Sequence, residues 1–124
     1  MKIKTAFLFL AALSVASAGR SQHEKHYQKL YAEQVGGQVE VTAPDGTRCD
    51  ILTETHAIEA DFADKWAEAI GQSLNYGFQF NKKAGILLII ESPRDERHYI
   101  RLGSIIRHYG LEIELIPLRA YKSD

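Results

Sequence analysis

Three carboxylates at strand spacing set the chemical question. In Cys49-Asp50-Ile51-Leu52, Asp50 lies on an arm that returns toward Ile58-Glu59-Ala60-Asp61-Phe62. Side chains alternate along a strand, so Glu59 and Asp61 share one face while Ile58, Ala60 and Phe62 take the other. Asp50, on the neighbouring arm of a tight hairpin, comes alongside Glu59. Carboxylates this close repel one another unless a cation sits among them. An oxygen-only set of this kind suits Mg²⁺ or Mn²⁺. Past the acidic strand, Lys65, Gln72 and Tyr76 stand at helical spacing along one stripe that could face it. Solvated charges on an exposed sheet face, with a polar helix rim, would leave the same pattern. Spacing alone keeps both readings open.

The elements that must position these residues alternate between helix and strand. Gln22 to Val35 places Tyr27, Leu30, Tyr31 and Val35 at helical spacing and stops at Gly36-Gly37. Gln38 to Ala43 alternates as a half-buried strand, Pro44-Asp45-Gly46 makes a turn, and Arg48 to Thr53 returns as the second arm. After the polar turn Glu54-Thr55-His56, Ala57 to Phe62 forms a third strand. Ala63 to Phe80 is predicted helical, with Ala67, Ile70, Leu74 and Phe78 as its apolar face. Ile86 to Ile90 is a continuous aliphatic run, as in a strand buried on both sides. Ser92-Pro93 opens a helix whose apolar face is Tyr99, Leu102, Ile105, Ile106 and Tyr109, and Gly110 ends it. Leu111 to Leu118 closes as an alternating strand. The order α-β-β-β-α-β-α-β implies an α/β fold with a mixed central sheet flanked by helices.

The chain has 124 residues, with 15 Lys plus Arg against 16 Asp plus Glu and a single cysteine. That excludes a disordered tail, a disulfide scaffold and a cysteine-based zinc cluster. Lys2 and Lys4 precede an uncharged apolar run, Thr5 to Val15, followed by Ala16-Ser17-Ala18. This pattern describes a cleaved secretory leader over residues 1–18. The expectation is an exported protein, periplasmic or secreted, with a single domain over 19–124 and no stable membrane insertion. Without the leader, 13 basic groups face 16 acidic ones.

An acid on the second strand, an acidic third strand and a helix with Gln-x-x-x-Tyr together resemble the PD-(D/E)XK nuclease superfamily. The resemblance is to its RecB-like branch and to the restriction-endonuclease-like core, and it covers nearly all of residues 19–124. It assigns Asp50 and Glu59 as the paired acids and Gln72 and Tyr76 as substrate-positioning residues. It implies Mg²⁺ or Mn²⁺ held by Asp50, Glu59 and the backbone carbonyl of Ala60, with Glu33 as the matching acid on the first helix. The implied activity is metal-assisted hydrolysis of phosphodiester bonds, with DNA as the expected substrate.

One departure stands out: Asp61 occupies the place of the family's lysine. Either Lys65 swings its ammonium into that space, the repair favoured by its place at the start of the Gln72 and Tyr76 stripe, or Asp61 acts as ligand or base. If neither does, the chain is a catalytically inactive member of the fold that binds a partner in the cell envelope. His56, in the turn before the acidic strand, and Arg94, Arg97 and Arg101, in the only basic concentration of the chain, are candidate nucleic-acid contacts.

Overall fold

The computed structural model describes residues 19, 20 and 22–123, so the leader-like segment 1–18 lies outside the described residues. The first helix, α1, spans 22–35 and ends at Gly36, whose φ of 67° is the left-handed conformation a glycine stop supplies. β1 (Gln38–Thr42), β2 (Arg48–Leu52) and β3 (His56–Phe62) follow as an antiparallel meander. A 3₁₀ turn, Ala63–Lys65, leads into α2 (Trp66–Phe80). Then come β4 (Lys83–Ile90), a second 3₁₀ turn at Pro93–Asp95, α3 (Glu96–Tyr109) and β5 (Ile113–Arg119). This is the element order that the sequence predicts.

Among the described residues the strands form one mixed sheet in the order β1-β2-β3-β4-β5, with β3, β4 and β5 parallel. β4 lies between β3 and β5, and Ile86 to Ile90 is wholly buried. Alternate residues of that strand feed two cores. Ile86, Leu88 and Ile90 pack with Ala63, Ala69 and Leu102 beneath α2 and α3. Leu87 packs with Ala32, Ile51, Ile58 and Ala60 beneath α1. Each buried leucine or isoleucine among them contributes about 1.5–3 kcal/mol by leaving water.

The apolar face predicted for α2 is corrected by the structure. Ala69, Ser73, Tyr76 and Gly77 face inward, whereas Ala67 and Leu74 are exposed and Phe78 is 82% exposed. Ala69, Ser73 and Gly77 recur every fourth residue and make a flat stripe that lets the helix lie close on the sheet. A Cβ at position 77 would sit 3.1 Å from both the Ala84 Cβ and the Lys82 carbonyl oxygen. Ser73 tolerates full burial because its hydroxyl donates to the Ile70 carbonyl at 3.0 Å. On α3, Leu102 is buried and Tyr99 and Ile106 reach the core, but Tyr109, at the helix end, is 71% exposed.

Candidate functional site

The acidic residues meet where the β2–β3 ladder ends. Those strands pair at Ile51 with Ile58 and at Leu52 with Ala57. Beyond that point Asp50 uses its side chain instead: its Oδ2 accepts the backbone N–H of Ala60 at 2.8 Å. Glu59 is buried, 5% exposed, and its carboxyl lies within hydrogen-bonding reach of both Asp50 and Asp61. Burial, then the charge of Asp50, pushes Glu59 far above the usual carboxylate range. Burial also raises Asp50 and Asp61, while the hydrogen bond each shares with Glu59 pulls the other way. Glu59 is therefore the member of the three most strongly pushed toward its protonated form. Among the described residues, Glu59 Oε2 and Asp61 Oδ2 are buried with no hydrogen-bond partner.

The first helix adds a fourth acid, and it is Glu24. Burial, then the charges of Asp61 and Asp50, raises Glu24 from its ordinary 4.5 to about 7. Gln28, itself buried, donates from Nε2 to Glu24 Oε1 at 3.4 Å. Glu33 is exposed instead. It follows Glu24 by nine residues, two and a half helical turns, and so stands on the opposite side of α1. The i, i+4 stripe 24, 28, 32 carried the signal that could have found Glu24, because it puts that acid in line with the buried Gln28 and Ala32 on the helix's inward face.

From α2, Tyr76 is buried, and burial followed by the charges of Glu59 and Asp50 raises its hydroxyl well above the ordinary range. Tyr76 thus joins the carboxylates, but Gln72, one turn earlier, is exposed. Lys65 is half exposed with its ammonium 3.9 Å from Glu68; its charge still lowers Asp61, weakly against the other influences there. His56 stands at the other end of β3, five residues from Asp61 and roughly 16 Å away at strand rise. Its Nε2 is 2.6 Å from Glu114 Oε2 and its Nδ1 is 2.7 Å from Thr55 Oγ1. Arg94, Arg97 and Arg101 are exposed on the second 3₁₀ turn and α3.

Among the described residues, no three His, Cys, Asp or Glu side chains are arranged to hold a metal ion as they stand. The carboxyls close on one another instead. Their chemistry nonetheless fits a hard divalent cation: the donors are all oxygens, and two of those oxygens are buried and unpartnered. Among the described residues no helix is long and apolar enough to cross a membrane.

No protein-family model and no solved structure matches the chain. A KilA-N domain-containing protein of Acanthamoeba polyphaga mimivirus is 28% identical over 90 residues. The matched segment is 73% of this chain and only 24% of the viral protein, so this chain spans about a quarter of that relative's length.

Proposed function

We propose that this protein hydrolyses phosphodiester bonds in nucleic acid, DNA in the first instance, with Mg²⁺ or Mn²⁺ as cofactor. The observation that carries the reading is the carboxylate group Asp50, Glu59 and Asp61, with Glu59 buried and two of the group's oxygens buried and unpartnered, Asp50 and Glu59 standing at the positions the PD-(D/E)XK resemblance selects. The match to a KilA-N domain-containing viral protein adds support for nucleic acid as the substrate class. The leader-like N-terminus would deliver the enzyme outside the cytoplasm.

Asp50, Glu59 and the Ala60 carbonyl would hold the cation, with Glu24 as the helix-borne acid in place of Glu33. When bound, the ion supplies charge neutralisation and a more acidic water. The chain's own residues do the rest. Asp61 accepts the proton of the attacking water, and the Ala60 N–H keeps Asp50 aimed at the site. Tyr76, neutral and beside Glu59, orients the substrate backbone as a hydrogen-bond donor.

The test is incubation of purified protein with plasmid and single-stranded DNA in Mg²⁺, Mn²⁺ or EDTA. Wild type should cut in metal but not in EDTA, and Asp50→Asn and Glu59→Gln should each lose at least about a hundredfold in rate while staying folded. Equal cleavage by wild type and both variants refutes the assignment.

One observation favours a second reading, a catalytically inactive binding module: the Lys65 ammonium pairs with Glu68 at the surface. That reading predicts no cleavage of any nucleic acid and no thermal stabilisation by Mg²⁺ or Mn²⁺.

A further inference from the structure

Among the described residues two non-glycine positions have positive φ. One is Asn81, which closes α2 as a helix cap; the other is Glu40, at 52° in the middle of β1. A left-handed residue inside a strand is unfavourable for any side chain with a Cβ, and its persistence points to something it secures. The flanking pairs, Val39 with Ile51 and Val41 with Cys49, mean that a regular rung would set Glu40 directly across from Asp50. Like charges in that position repel. Glu40 leaves the rung, and its carboxyl meets two cations: Arg48 Nη1 lies 3.5 Å from Oε2, and Lys25 Nζ lies 3.9 Å from Oε1. Its charge is still felt at Asp50.

The two cations come from the same elements that supply the acids. Lys25 follows Glu24 on α1, and Arg48 precedes Asp50 by two residues on β2. Their side chains are 64% and 66% exposed. Long ion pairs in solvent are weak. A phosphate offers an arginine shorter, charge-assisted and bidentate bonds, so it can displace the carboxylate. An acidic cleft also repels a polyanion unless cations stand at its mouth.

We propose that Lys25 and Arg48, gathered by Glu40 beside Asp50, form a subsite for a backbone phosphate of the nucleic acid next to the one that is cut. This rests on the nuclease reading and names how that site grips its substrate.

Binding of a fluorescent DNA oligonucleotide to the purified protein, by anisotropy in EDTA across a salt series, tests it. Lys25→Ala and Arg48→Ala should each weaken binding about tenfold and reduce the slope of log Kd against log salt by about one. Lys122→Ala, an exposed lysine beyond β5, should bind as wild type does. Arg48→Lys should keep the salt slope while losing part of the affinity. Circular dichroism and melting of each variant should match wild type, because both side chains are solvent-exposed.

Wild-type affinity and slope in both alanine variants, with wild type binding DNA, overturn the subsite and leave the nuclease reading standing. Wild type that neither binds nor cuts DNA or RNA overturns both. Inorganic phosphate binding as tightly as the oligonucleotide marks a free-phosphate site and overturns the proposal as well.

Discussion

Replacing the Glu24 carboxyl by an amide removes one titratable group from the carboxylate cluster while keeping the side chain's size and an oxygen for Gln28. Burial, then Asp61 and Asp50, raises Glu24 from 4.5 to about 7. At about 1.36 kcal/mol per pKa unit, that shift corresponds to roughly 3 kcal/mol against the ionised form. The residue is only half-buried, so solvent screening reduces the expected effect to about 1–2 kcal/mol.

The sign follows from which state holds more protons. Between about pH 4.5 and 7 the folded protein binds a proton at Glu24 that the unfolded chain releases. Wild-type stability therefore falls through that window and stays lowered above it. The amide of the Glu24→Gln variant has nothing to titrate. In EDTA at pH 8 that variant should be the more stable protein by about 1–2 kcal/mol, a rise in Tm of roughly 4–15 °C for a domain of this size. At pH 4 the two should melt together. Thermal melts by circular dichroism at pH 4, 6 and 8 measure the difference directly. Millimolar Mn²⁺ at pH 8 should narrow the gap by stabilising wild type more than the variant. An equal Tm difference at pH 4 and pH 8, or a less stable variant at pH 8, would refute the placement of Glu24 in the cluster.

Two further substitutions probe how the fold carries the site. Gly77→Val should cost about 2 kcal/mol or more in urea unfolding, because its Cβ enters space held by the Ala84 side chain and the Lys82 carbonyl; an unchanged midpoint would mean α2 does not lie as close to the sheet as described. Glu40→Gly should raise stability by about 0.5–1 kcal/mol, since glycine adopts a φ of 52° without the Cβ penalty; a lower urea midpoint would mean that Glu40's ion pairs outweigh its strain.

Much of the fold was legible because local rules decide it. The glycine at 36, the turn at Pro44-Asp45-Gly46 and the aliphatic run at Ile86 to Ile90 each act within a few residues, and the elements begin and end near them. The inward face of α2 was not legible. Periodicity selects the largest apolar residues, Leu74 and Phe78, but the sheet accepted the small ones, Ala69, Ser73 and Gly77, since only they allow a close approach. Tyr76 was reachable from its spacing, whereas Gln72, in the same motif, faces solvent. The choice between Glu24 and Glu33 depended on which side of α1 meets the sheet, and the tyrosines at 27 and 31 did not settle it against the leucine and valine at 30 and 35.

The sequence by itself determined the order of elements and placed Asp50, Glu59 and Asp61 on adjacent strands, because strand alternation and a short hairpin leave little freedom over ten residues. Only the tertiary structure decided that Glu24 joins them, that Tyr76 turns inward while Gln72 faces solvent, and that Glu40 draws Lys25 and Arg48 to the rim. Those outcomes depend on how a helix rotates against a sheet and how far a ladder runs before it parts. Both are set by packing between residues distant in the chain, where a small rotation exchanges a buried side chain for an exposed one.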